Sequence, residues 1–278
     1  MIIVTGATGM IGRALLPALS ATSRRVSAVT RNSRSSLPSG TQRVVADLTD
    51  PKSLRGMMGG ADTLVLIASG MDQFEQESNA LREASEAEVR RVIKVSAMSV
   101  RREASDRITQ AHRAIEAELR ASDFEWAVVR CNAFMSNALN WRWTISQSGA
   151  VYVPFAQKPV SAVAPEDIAR LIAALLEGSP PGAVLEATGP EAITPAEQVA
   201  ILADQLARQI SVIDVPPNAM REQLVAEGVE VEMAEALISM MAEALDPDTA
   251  RVSDDIEKYT GRAATTFRDW VRANVTAF

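Results

Sequence analysis

The chain has 278 residues, of which 47% are hydrophobic and 23% charged, and a formal net charge of -7. That length exceeds one minimal core and falls short of two full domains, with the composition of an ordinary globular protein. An acidic chain is not drawn to nucleic acid or an anionic membrane, and the lone Cys131 makes no internal disulfide. One histidine and one cysteine are also too few soft ligands for a zinc or iron centre, so no metal is expected.

Residues 1–4 lead straight into a glycine turn, so no secretory leader is expected, and a reducing, cytoplasmic setting follows from the cysteine count. Residues 2–4 read as a strand, 10–20 as a helix, 26–29 and 43–46 as strands, and 51–58 as a helix. The longest apolar run, 64–68, has strand length and is far short of a membrane span. A helix over 74–87, a strand over 91–95, a helix over about 105–121 and a strand over 127–129 follow. Short unbroken apolar strands spaced by amphipathic helices give a parallel sheet covered on both faces. Beyond Arg130 the pattern loosens: 131–160 holds Phe134, Trp141, Trp143, Tyr152 and Phe155. Residues 165–177 read as a helix with proline at its start and 183–187 as a strand, and the remainder is mainly helical around a strand at 212–215.

The first strand runs into Thr5-Gly6-Ala7-Thr8-Gly9-Met10-Ile11-Gly12, a G-x-x-G-x-x-G run that opens the first helix. Gly6 permits the tight turn, Gly9 lets backbone approach a pyrophosphate, and Gly12 lets helix and strand pack closely. The helix N-terminus turns N–H groups and a partial positive charge toward the phosphates, with Thr8, Met10 and Ile11 beside them. The expectation is therefore an α/β, Rossmann-type, doubly wound parallel sheet from 1–130 and 160–188, with a smaller, mainly helical substrate domain from 131–159 and 189–278.

At the end of the second strand, NAD-binding proteins usually carry an acid for the ribose 2′-hydroxyl. This chain reads Val29-Thr30-Arg31-Asn32-Ser33-Arg34, and residues 1–46 contain no acid at all. Arg31 offers a forked, charge-assisted contact to a 2′-phosphate, with Arg34 within reach of the same group. NADP(H) is the expected cofactor; solvated loop arginines that admit either cofactor are the alternative.

With that loop and Arg31, several further segments carry a family resemblance. They are Ala46-Asp47-Leu48, Leu66-Ile67-Ala68, Val95-Ser96-Ala97, His112-Arg113-Ala114-Ile115-Glu116, Asn132-Ala133-Phe134-Met135-Ser136-Asn137 and Thr188-Gly189-Pro190. Over nearly its whole length the chain resembles the NmrA-like branch of the atypical short-chain dehydrogenase/reductases, in particular its bacterial quinone- and dye-reducing members. The resemblance implies that Asp47 and Leu48 touch the adenine and that Ile67, Ala68 and Ser69 line the ribose and pyrophosphate. It also implies that Ser96 sits beside the nicotinamide, with Asn132 to Phe134 on the other side. The chain departs from the family at Cys131, where proline commonly follows the arginine.

Ordinary short-chain reductases use Tyr-x-x-x-Lys, yet Tyr152 and Tyr259 are followed four residues later by Ala156 and Ala263. With Glu116 aligned to the family's helix glutamate, His112 takes the lysine position and Ile108 the tyrosine position. His112 and Ser96 are thus the candidate catalytic residues, and His112 is also a candidate to hold the nicotinamide ribose. A helix histidine doing neither is the plain alternative. Hydride transfer to an ordinary ketone builds an alkoxide that needs a proton, whereas a quinone, cationic dye or iminium ion yields a stabilised or neutral product. Phe134, Met135, Trp141 and Trp143 are candidates to face a planar aromatic substrate, although the tryptophans serve equally well as anchors. These features read as an NADPH-dependent reductase of quinone-like or cationic conjugated small molecules, with a homodimer left open. The alternative is a non-catalytic NADP(H)-sensing regulator that binds a protein partner.

Overall fold

Apolar strands of three to seven residues form the centre of the protein in a computed structural model that describes residues 1–20, 22–102, 106–178, 180–243 and 247–278. The strands are β1 (Ile2–Val4), β2 (Val26–Thr30), β3 (Thr41–Val45), β4 (Thr63–Leu66), β5 (Arg91–Ala97), β6 (Glu125–Cys131), β7 (Ala150–Val153), β8 (Ala183–Ala187) and β9 (Ser211–Asp214). The helices are α1 (Met10–Ser20), α2 (Pro51–Leu54), α3 (Gln73–Glu86), α4 (Arg107–Arg120), α5 (Arg142–Ser148) and α6 (Pro165–Glu177). They continue with α7 (Pro195–Gln205), α8 (Pro217–Ala226), α9 (Val231–Glu243), α10 (Asp255–Thr260) and α11 (Phe267–Ala273).

The chain divides into two compact units, residues 1–130 with 168–185, and residues 131–167 with 186–278. In the main sheet the strand order is β3-β2-β1-β4-β5-β6-β8, parallel through the pairs from β3 to β5. The chain turns back across β1, with β2 on one side and β4 on the other. The loops leaving β1 and β4 therefore part at the carboxyl edge, where doubly wound sheets open a crevice. One face of the sheet is sealed by Ile3, Leu64, Leu66 and Val92 against Leu54, Ala80, Leu81, Ile115 and Leu119 from the helices. Such strands are buried on both faces, which is why they read as unbroken apolar runs.

Local chemistry moves several boundaries from their expected places. The helix expected over 51–58 ends at Leu54, because Gly56 and Gly60 take left-handed conformations (φ 72° and 74°) that end a helical run. The strand expected over 64–68 ends at Leu66, which leaves Ile67, Ala68 and Ser69 in the loop beyond it. Helix α4 starts at Arg107, where the Asp106 carboxylate accepts the Thr109 N–H at 2.8 Å; Ser105, in the expected start, lies outside the described residues. Strand β7 was not expected; it follows Gly149, the left-handed cap of α5, and pairs in parallel with β9 in a separate two-stranded sheet.

The second unit has its own core, in which Met135, Ala138, Ala162 and Leu202 surround Phe267 and Trp270. The two aromatic rings of α11 lie 5.9 Å apart. Among the described residues, no helix is long and apolar enough to cross a membrane.

Helix α1 reaches β1 only because Gly12 lacks a side chain: a Cβ there would overlap the Gly6 carbonyl oxygen and the Ala7 backbone. Gly12→Ala should therefore lower stability by about 1–3 kcal/mol, read as a lower denaturant midpoint. An unchanged midpoint would contradict this close approach.

Candidate cofactor and catalytic site

The loop after β1 is built from two constraints. Gly6 adopts φ 58°, and a Cβ at this position would lie 2.7 Å from the Ile67 carbonyl oxygen. Beside it the buried Thr5 hydroxyl accepts the Ile67 N–H at 2.8 Å and donates to the Ile67 carbonyl at 2.9 Å. These contacts join the loops of β1 and β4, although nothing in the motif had singled out Thr5. Beyond them Gly9 and Met10 are exposed, Thr8 is half-buried, and Ile11 turns its side chain into the core. The first turn of α1 holds no acid, and the Arg13 guanidinium donates to the Thr8 carbonyl at 2.7 Å. A helix N-terminus, open glycine backbone and an adjacent guanidinium together fit a pyrophosphate.

The loop after β2 is ordered by short side chains. Thr30 Oγ1 accepts the Asn32 N–H at 3.2 Å, Asn32 Oδ1 accepts the Arg34 N–H at 2.9 Å, and Arg43 donates to the Ser35 carbonyl. Arg31 and Arg34 extend from it into solvent. After β3 the Asp47 carboxylate accepts the Thr49 N–H at 3.0 Å and the Thr49 hydroxyl at 2.8 Å. Those bonds hold its carboxyl below the usual range against the opposing effect of burial, with a lesser contribution from the Arg31 guanidinium. Leu48 packs in the core, and its carbonyl accepts from the amide of Asn79, a buried side chain of α3, at 3.0 Å. Ile67 and Ala68 are half-buried and Ser69 is exposed.

At the end of β5, Ser96 is buried and donates its hydroxyl proton to Glu116 Oε1 at 2.7 Å. Glu116 does not bond His112. It also takes Arg130 through Nε at 3.0 Å and Nη2 at 2.6 Å, and Arg120 at 2.7 Å. Burial pushes the Glu116 carboxyl up, but the bonds from Arg130, Ser96 and Arg120 outweigh it and hold it below its ordinary value.

One helical turn earlier, His112 is 8% exposed and lies in a cluster that sequence reasoning missed. Lys94 of β5 and Glu77 of α3 form a fully buried ion pair, Nζ to Oε1 at 2.6 Å. Lys94 Nζ also meets the Val95 carbonyl at 2.6 Å and His112 Nδ1 at 3.0 Å. Gln73 Nε2 lies 2.8 Å from His112 Nδ1 and 3.2 Å from Nε2. Burial, and secondarily the Lys94 ammonium, hold the imidazole well below its usual range. Burial pushes Glu77 upward, against the pull of Lys94 and Gln73. The signal was present: a lysine in the middle of an otherwise apolar strand needs a buried partner.

In the second unit, the Asn132 amide donates to Ser161 Oγ at 2.8 Å and to the Thr249 carbonyl at 3.0 Å, so this side chain ties segments of its own unit together. Phe134 is half-buried and bridges to Val163. Met135 is only 1% exposed, a core residue rather than an open wall, and Trp141 packs half-buried against the same core. Trp143 is 68% exposed on α5.

The chain is similar to several known proteins. Residues 6–179 match the family described as NAD(P)H-binding. A (4-alkanoyl-5-oxo-2,5-dihydrofuran-3-yl)methyl phosphate reductase of Streptomyces griseus is 33% identical, with 100% of this chain and 99% of the relative covered. An NAD(P)H azoreductase of Xenophilus azovorans is 25% identical over 100% of this chain and 99% of its own. The crystal structure of an NADPH-dependent quinone oxidoreductase of Escherichia coli complexed with NADPH superposes with a TM-score of 0.85, at 22% identity, covering 99% of this chain and 100% of that one. The chain belongs to the NAD(P)H-binding family and is an NAD(P)H-dependent oxidoreductase.

Proposed function

We propose that this oxidoreductase uses NADPH to reduce a conjugated small molecule, quinone-like or cationic, whose product needs no strong acid. The observation that carries this reading is the state of the groups at the end of β5. Ser96 has committed its proton to Glu116, and His112 is buried beside an ammonium, so neither is a ready acid for an alkoxide. When bound, the cofactor supplies the hydride. The acceptor must then carry the resulting charge without taking a proton from either group. The Streptomyces relative is a reductase of a dihydrofuran whose ring alkene bears a ring carbonyl and an alkanoyl group on one carbon, and the Xenophilus relative is an azoreductase; both groups are conjugated acceptors.

In this reading the backbone from Gly6 to Gly12, including Thr8, Gly9, Met10 and Ile11, holds the pyrophosphate. Arg31 and Arg34 take the 2′-phosphate, Asp47 and Leu48 border the adenine, and Ile67 to Ser69 border the ribose. Ser96 and His112 lie toward the nicotinamide, and Asn132 and Phe134 are assigned to it as well. Of the candidates to face the acceptor's ring, Phe134, Trp141 and Trp143 are kept, and Met135 is set aside because it is engaged in core packing.

Two outcomes follow. Purified protein should oxidise NADPH, followed at 340 nm, with at least one of a quinone, a triphenylmethane dye, an azo dye or a cyclic imine. Tight NADPH binding without turnover across that panel would contradict the catalytic reading. Arg31→Glu should weaken NADPH by about tenfold to a hundredfold more than NADH, through loss of a forked contact and gain of a repulsion. Equal losses for both cofactors would remove Arg31 from the 2′-phosphate.

A further inference from the structure

The cluster around His112 determines where the ring's single proton sits. Lys94 Nζ has three protons and three neighbours: Glu77 Oε1, the Val95 carbonyl and His112 Nδ1. The first two are acceptors only, so the third proton points at Nδ1. The other group near Nδ1 is Gln73 Nε2, whose orientation is set by Glu77 Oε2 at 3.3 Å: the amide oxygen there would face a carboxylate. Nδ1 thus meets two donors and no acceptor, and it must carry the lone pair. The proton is on Nε2. Among the described residues Nε2 meets no acceptor, since its one contact is again the Gln73 amide nitrogen. His112 as a residue is more than nine-tenths buried, and a ring N–H whose one neighbour is another donor leaves room for a ligand oxygen or water as its acceptor.

We propose that Lys94, held by Glu77 and Gln73, is a positioning residue that fixes His112 as a neutral Nε2–H donor, aimed at the oxygen or nitrogen on which charge gathers in the reduced acceptor. The inference rests on the reductase reading above and extends it to three side chains of β5 and α3. The donor hydrogen-bonds the developing charge and keeps its proton; water protonates the product after release. The charged groups around the ring are Lys94 from β5 and Glu77 from α3. On α4 itself Glu116 turns to Ser96, Arg120 and Arg130. Burial, and after it the fixed ammonium against Nδ1, disfavour a second proton on the ring, so it stays a neutral Nε2–H donor through the ordinary histidine range.

His112 is the only histidine in the chain, so its nitrogen-15 signals report the ring without ambiguity. In the wild type, spectra from about pH 5.5 to about pH 8.5 should show a neutral ring protonated on Nε2 throughout. Lys94→Met removes the group that fixes the tautomer, so the neutral ring should share its proton between Nδ1 and Nε2 and titrate at higher pH than in the wild type, and turnover should fall on the high-pH side, where no second proton keeps Nε2–H in place. Gln73→Leu is the milder variant and should shift the ring in the same direction if Lys94→Met does not fold. His112→Gln, which keeps an N–H donor, should retain more turnover than His112→Phe. The latter should lose about a hundredfold in kcat, a larger loss than any in NADPH affinity. A wild-type ring that titrates in the usual range or carries its proton on Nδ1 overturns the proposal, as does equal activity of the Gln and Phe variants. Because the spectra need no substrate, absence of turnover would count against the reductase reading alone, and the ring's state would still be decided.

Discussion

One hydroxyl group ties together two loops at the carboxyl edge of the sheet. Thr5 ends the first strand, and its Oγ1 both accepts from and donates to the backbone of Ile67, which closes the gap between two loops that the sheet topology sends apart. Gly6 must then turn with positive φ against the same residue, and Gly12 must lack a side chain for the helix to start where it does. Exposed backbone at Gly9 and the helix N-terminus are consequences of those two constraints. Losing the pair of hydrogen bonds would cost about 1–3 kcal/mol in stability. The larger effect would be a phosphate loop no longer fixed against the loop of β4.

A second constraint lies deeper. The two acids Glu77 and Glu116 are both buried without exposure, each against cations, on elements that flank β5. Removing one partner of such a pair costs about 3–5 kcal/mol, because the other charge is stranded. That is a large fraction of the stability of an ordinary domain, and apolar residues of similar volume would pack the same space. Polar groups kept at that cost beside the end of β5 are consistent with a role in chemistry. In one arrangement Glu116 accepts a hydrogen bond from the Ser96 hydroxyl, and in the other Lys94 donates to Nδ1 of His112.

The strands and the glycine loop were legible because burial on both faces writes them as short apolar runs and because a tight strand-to-helix turn demands glycine. The same reasoning singled out Arg31 and Arg34 as candidates, on the absence of an acid beside them. It missed β7, a short strand whose partner lies some sixty residues further on. It extended the helix at 51–58 over glycines that end it, and carried the fourth strand through Ile67, whose backbone is claimed by Thr5. Met135 looked like a pocket residue by its place in a motif, but the core of its own unit encloses it. Lys94, Glu77 and Gln73 escaped notice because their meaning lies in a three-dimensional meeting of β5, α3 and α4. The anomaly of a charged residue inside an apolar strand was nevertheless visible. Thr188-Gly189-Pro190 became intelligible in the same way: a Cβ at Gly189 would overlap the Ala162 carbonyl oxygen.

The central claim is that the carboxyl edge of the sheet, from the glycine loop to the loop of β4, is where the dinucleotide lies. Backbone amide shifts of nitrogen-15-labelled protein, titrated with NADP⁺, test it most directly. The largest changes are expected at Gly6 to Gly12, Arg31 to Arg34, Asp47 and Leu48, and Ile67 to Ser69. Saturable binding whose shifts leave those four segments unmoved would contradict it.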